Sequence, residues 1–201
     1  MSGWIEALAP ALHPLAAPPG PPGWNHDHLV ELIGDDARRD AAVLLAVRDV
    51  PEPRVVFTLR RDGLAHHAGQ VSFPGGGVEA VDADVVATAL RESREEIALD
   101  ARAAQPLGYL DCLETISGFC VTPVVARLAP EAVLVPQPEE VARIFEVPLA
   151  FLLDRRNLRP FEYRYRDERR QVYEYIGVAP RIWGATAAML VNLLQRLGRW
   201  E

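Results

Sequence analysis

The chain has 201 residues, 49% of them hydrophobic and 24% charged, which is enough apolar material for one sizeable core. Its 21 Lys and Arg against 28 Asp and Glu leave a formal charge of −7, the wrong sign for tracking a nucleic-acid backbone, so no nucleic-acid partner is expected. A polyanionic small substrate is compatible with that balance, provided that a cation and a few local arginines reverse the field where it binds.

Residues 1–37 read as an N-terminal arm with a Pro-rich linker, and residues 38–201 as the main domain. Trp4 to Leu12 can form a short amphipathic helix, but the Pro14 to Gly23 run cannot continue it, because Pro lacks an amide donor and fixes φ. The arm is expected to cover the domain surface, with a homodimer contact or a lid as the other roles. Its start is not basic, Pro interrupts its apolar stretch, and it never reaches the ~20 continuous apolar residues of a membrane span, so neither a signal peptide nor a membrane anchor is expected.

From Ala41 the run AAVLLAV reads as a buried strand, and Arg54 to Arg61 as a second strand with charged ends. After the polar DGLAHHAG segment, Gln70 to Phe73 reads as a short strand ended by a Pro74-Gly75-Gly76-Gly77 turn. Apolar or small residues at Val85, Val86, Ala89, Leu90, Ile97 and Leu99, with charges between them, predict a helix over Asp84 to Leu99. Two long strands are expected around Ser117-Gly118, then a short helix from Pro148, a hairpin around DERR, and a closing apolar helix through IWGATAAMLVNLLQRLG. Mixed strands and helices with antiparallel pairs predict an α/β fold, a sheet covered by helices. Cys112 and Cys120 are too few for a disulfide framework and read as reduced core thiols of a cytoplasmic protein.

On the predicted helix, Glu92, Glu95 and Glu96 stand at i, i+3 and i+4, so the three carboxylates project from nearly one face. Such a cluster is either a solvated face salt-bridged by Arg91 and Arg94, or a set of hard oxygen ligands for Mg²⁺ or Mn²⁺. The triple Gly ahead of it gives backbone that a phosphate can approach closely.

Gly69 to Leu99 resembles the Nudix box, G-x5-E-x7-R-E-U-x-E-E-x-G-U, where U is a bulky aliphatic residue. Gly77 matches its first Gly, Arg91-Glu92 its R-E, Glu95-Glu96 its E-E and Leu99 its last aliphatic position. Three positions depart from it: Ala83 stands at the first Glu, with Asp82 beside it able to supply a carboxylate, Ser93 at an aliphatic position, and Ala98 at the second Gly. Upstream, FTLRRDGLAHHAGQVSFPGG, from Phe57 to Gly76, is similar to the motif of the coenzyme A pyrophosphatase branch of that family.

The resemblance implies an α/β/α sandwich with a mixed central sheet, the box forming a loop–helix–loop, and water attack at phosphorus. It implies that Glu92, Glu95 and Glu96 hold Mg²⁺ or Mn²⁺, that Arg91 orients a carboxylate, and that Glu140 or Glu95 is the general base. Substrate contacts are expected from Arg60, Arg61, Gln70, Gly75 and Gly76, with His66 and His67 as further donors and Ser72, Phe73 and Pro74 shaping the loop. The implied substrate is coenzyme A or an acyl-coenzyme A. Hydrolysis of ADP-ribose or another nucleoside diphosphate derivative, and a non-catalytic binding module, stay open as alternatives, the last because of Ala83.

Overall fold

The computed structural model describes residues 3–34, 36–62, 69–165 and 168–200. Two helices, α1 (Gly3–Leu8) and α2 (His26–Ile33), precede the strands β1 (Arg39–Arg48), β2 (Arg54–Arg60), β3 (Val71–Ser72) and β4 (Gly75–Gly77). Helix α3 (Val85–Ile97) follows, then β5 (Ala104–Tyr109), β6 (Leu113–Glu114), β7 (Phe119–Leu128) and β8 (Val141–Pro148). The chain ends with α4 (Leu149–Leu152), β9 (Leu158–Tyr165), β10 (Glu168–Tyr175) and α5 (Gly184–Arg196).

Eight strands form one sheet with the order β3-β2-β1-β7-β5, to which β4 adds on β1, β6 on β7 and β8 on β2. Strands β1 and β7 run parallel over their full length, and the remaining pairs are antiparallel, so the sheet is mixed as expected. The run that begins at Ala41 is apolar throughout because both faces of β1 are covered. Ala41, Leu45 and Val47 point into a core shared with Ala187, Leu190 and Leu193 of α5, and Ala42, Leu44 and Ala46 into one shared with Ala89 and Ile97 of α3. Helix, sheet and helix thus form the three layers of an α/β/α sandwich.

Local differences from the sequence reading have simple causes. Gly75–Gly77 is a paired strand rather than a turn, with Ala42 opposite Gly76. Glycine is needed there for close approach: a Cβ on Gly75 would lie 2.3 Å from the Ala42 carbonyl oxygen, and one on Gly76 2.5 Å from the Glu92 carboxylate. The first of the two long strands is split into β5 and β6, with a register shift between Pro106 and Gly108. Cys112 and Cys120, expected as reduced thiols, are joined in a disulfide, because β6 turns back onto β7 and brings their Cα atoms to 6.1 Å. Their thiol state therefore no longer argues for a compartment. Among the described residues, no helix is long and apolar enough to cross a membrane.

The N-terminal segment is tied to the sheet. Leu8 and Ala11 are fully buried in the α5-side core, His13 exchanges backbone hydrogen bonds with Tyr109, and the Trp24 amide donates to the Cys112 carbonyl. The Glu114 carboxylate accepts from the Gly23 amide, bonds His26 and pairs with Arg38. Replacing Leu8 with Ala should therefore destabilise the whole protein by about 2–5 kcal/mol, as at an ordinary core position, measured by chemical denaturation. A loss below about 0.5 kcal/mol, typical of a surface position, would contradict this anchoring.

Candidate active site

Helix α3 begins at Asp84, whose side chain accepts from the Ala87 amide, and ends at Ala98 in the left-handed conformation. That conformation, φ 53°, explains why the box has Gly at this position, and Ala98 bears the cost of a Cβ there. Ser93, at the box's aliphatic position, is fully buried and satisfies its hydroxyl by donating to the Ala89 carbonyl one turn back.

The helix does not present its three glutamates equally. Glu96 is only 4% exposed and accepts hydrogen bonds from the Gly75 amide at 3.2 Å and from Arg60 Nη1 at 3.4 Å. Glu92 lies against Gly76 and accepts from Arg91 Nη1 at 2.9 Å. The Glu95 side chain is 52% exposed and, among the described residues, pairs with Arg91 alone, at 3.3 Å. The expected single carboxylate face is thus an inner pair, Glu92 and Glu96, with Glu95 at its rim.

Arg91 is held by Asp82, which accepts from Nε at 2.9 Å and from Nη2 at 3.0 Å, and Nη2 also donates to the Gly77 carbonyl. This fork-on-carboxylate pair holds Asp82 well below the usual carboxylate range and Arg91 above the usual guanidinium range. Asp82 further accepts from the Thr88 hydroxyl and the Glu79 amide. The carboxylate missing at Ala83 is therefore supplied one residue earlier, where it clamps the loop to the helix. Sequence reading found Asp82 as a substitute but not its partner Thr88, whose spacing of six residues has no helical or strand signature.

Two further segments close on this face. A register shift between Leu59 and Arg60, where β2 pairs with β8, directs the Arg60 guanidinium toward Glu96. The loop after β7 is pinned to the end of α3 by the Gln137 amide on the Glu96 carbonyl and the Val135 amide on the Ile97 carbonyl. Glu140 follows directly, its carbonyl accepting from the Arg61 amide. Arg61 itself is exposed and donates to the Pro138 carbonyl, and the Gln70 carbonyl accepts from the Arg60 amide. His66 and His67 lie outside the described residues.

The negative charges act on one another. Burial pushes the Glu96 carboxyl up to about 7, with Arg60 and the Gly75 amide opposing and Glu92 and Glu140 adding to the rise. Burial also raises Glu92, where Arg91 opposes and Glu95 and Glu140 repel. A carboxyl raised in the folded state favours folding below its unfolded pKa of 4.5, and that contribution is lost as pH rises through about 7. In chelator, the stability of the Glu96→Gln variant relative to the natural protein should therefore increase by about 2 kcal/mol between pH 5 and pH 8, read by thermal unfolding. A difference independent of pH would contradict the burial of this charge.

Residues 37–168 match the NUDIX domain family. A protein of Photorhabdus laumondii, described as an uncharacterized Nudix hydrolase NudL, is 40% identical over 162 residues, which cover 81% of this chain and 87% of that protein. A protein of Pectobacterium atrosepticum with the same description is 40% identical over 158 residues, 78% of this chain and 81% of its own. Among solved structures, a Nudix hydrolase from M. smegmatis, RenU, is similar over 57% of this chain and 73% of its own, with 24% identity and a TM-score of 0.48. The chain belongs to the Nudix family and is a hydrolase of diphosphate bonds.

Proposed function

We propose that this hydrolase cleaves the diphosphate of coenzyme A or an acyl-coenzyme A, giving 4′-phosphopantetheine and adenosine 3′,5′-bisphosphate. One observation carries the reading. The segment that resembles the coenzyme A branch, Phe57 to Gly76, is the one whose Arg60 and Gly75 touch the buried glutamate of the box. Recognition and chemistry then share one wall, and a diphosphate lying on the box meets that segment at once.

Nudix hydrolases generally require a divalent metal such as Mg²⁺ or Mn²⁺. Among the described residues, no group of three or more His, Cys, Asp or Glu side chains is placed to hold a metal ion by itself. None is needed, because Mg²⁺ is usually held by one or two carboxylates and completed by water and substrate phosphates. Glu92 and Glu96 fit that role, being largely desolvated and mutually repelling. Glu95 would join from the rim. Bound there, the cation supplies the positive charge that a diphosphate needs and acidifies water.

The chain's own residues do the rest. Arg91 fixes Glu92 and Glu95 while tying the glycine strand to the helix through Gly77. Glu140 takes the proton of the attacking water, because its charge already bears on both Glu92 and Glu96 and its loop is fastened to the end of α3. Glu95 is the alternative base. Arg61, Gln70, Gly75 and Gly76 line the approach from the coenzyme A-like segment, and the arm of residues 1–37 stays outside the chemistry.

Coenzyme A turnover should vanish in excess chelator and return with Mg²⁺ or Mn²⁺. Glu96→Gln should lower kcat by at least about a hundredfold, in keeping with the several kcal/mol that a cation contributes to such a transition state. Glu140→Gln should lower kcat by about 10²–10⁴-fold with little change in metal affinity, as loss of a general base does. If Glu140→Gln keeps full kcat and Glu95→Gln does not, the base is Glu95; full turnover in chelator would overturn the metal-dependent reading altogether.

A further inference from the structure

Arg60 is placed in a way that neither strand-end capping nor simple phosphate binding explains. Its side chain is three-quarters buried, and its Nη1 stands 3.4 Å from Glu96 Oε1. Among the described residues, its buried Nε has no hydrogen-bond partner. An orphaned guanidinium donor is costly, since desolvation of a charged group's hydrogen-bonding site goes uncompensated. The register shift at Leu59 and Arg60 turns this residue, and the next residue, Arg61, donates instead to a loop carbonyl. Arg60 is therefore directed to the carboxylate that the box buries most deeply, while one of its donors stays unused.

We propose that Arg60 is a displaceable counter-ion. In the metal-free protein it neutralises Glu96. When a divalent cation takes Glu96, the guanidinium is released and turns to the diphosphate oxygens through a two-donor edge, Nε with Nη2 or Nη2 with the freed Nη1, in the bidentate geometry that Arg favours. The arginine and the cation thus compete for one carboxylate and then cooperate on one substrate, so each positive charge is used when substrate is present. The inference rests on the reading of Glu96 as a metal donor, not on the identity of the substrate.

The test is calorimetric titration of the metal-free protein with Ca²⁺ and Mg²⁺ in the absence of substrate, on the natural protein and on Arg60→Ala, Arg60→Lys and Arg61→Ala. An opposite charge at this range changes a carboxylate's affinity for a cation by about tenfold, so Arg60→Ala should bind metal about tenfold tighter, whereas Arg61→Ala should be unchanged. Arg60→Lys keeps the charge but lacks the planar fork, so it should bind metal like the natural protein and still lose kcat/KM. In Arg60→Ala, kcat/KM should fall equally for coenzyme A and its 3′-dephospho form, because the contact is to the diphosphate. A folded Arg60→Ala with unchanged or weaker metal affinity would overturn the proposal. Equal tightening in Arg61→Ala would also overturn it, by reducing the effect to general surface charge. Absence of metal binding by the natural protein would instead overturn the metal site under Proposed function.

Discussion

A carboxylate buried at the inner face of a helix has to be matched by charge or by donors, and Glu96 imposes that constraint on everything around it. Its two oxygens draw in the Gly75 amide from β4 and the Arg60 guanidinium from β2, and its own carbonyl holds the loop that carries Glu140. Three separate segments, two strands and a loop, are thereby fixed on one turn of α3. The apolar layers behind them supply the rigid support: Ala89 and Ile97 seat α3 on β1, so the turn bearing Glu92 and Glu96 cannot retreat into solvent to relieve its charge.

The glycine strand follows from the same constraint. Close packing of β4 against β1 leaves no room for a Cβ at Gly75, a Cβ at Gly76 would push the Glu92 carboxylate aside, and this closeness lets a backbone amide reach Glu96. The Arg91–Asp82 pair then locks the strand from the other side through the Gly77 carbonyl. With Ala83 at the box's first acidic position, Asp82 supplies the carboxylate that holds Arg91. One arginine thus joins the loop, the glycine strand and the helix.

Much of this was legible from residues alone. The 3.6-residue period placed α3 within one or two residues of its ends, and the unbroken apolar run from Ala41 marked a strand covered on both faces. The spacing of the glutamates points to the candidate site, but a helical wheel cannot say which carboxylate a neighbouring strand will bury, so the outward position of Glu95 is not legible from it. The paired strand at Gly75–Gly77 was read as a turn because three glycines carry no strand propensity, and their pairing comes from tertiary contact. The Cys112–Cys120 bond escaped for a similar reason: two cysteines eight residues apart give no pairing signal until β6 folds back on β7. Helix α2 and the core positions of Leu8 and Ala11 went unread because the Pro-rich run between them suggested a spacer.

The most direct measurement is a hydrolysis panel in Mg²⁺ and in Mn²⁺ that compares coenzyme A, acetyl-coenzyme A and ADP-ribose, with products resolved by chromatography. Coenzyme A and its acyl derivative should be cleaved with the higher kcat/KM, and adenosine 3′,5′-bisphosphate should appear in equal amount with a 4′-phosphopantetheine product. A higher kcat/KM for ADP-ribose than for either coenzyme A substrate would contradict the substrate assignment and leave only the diphosphate chemistry standing.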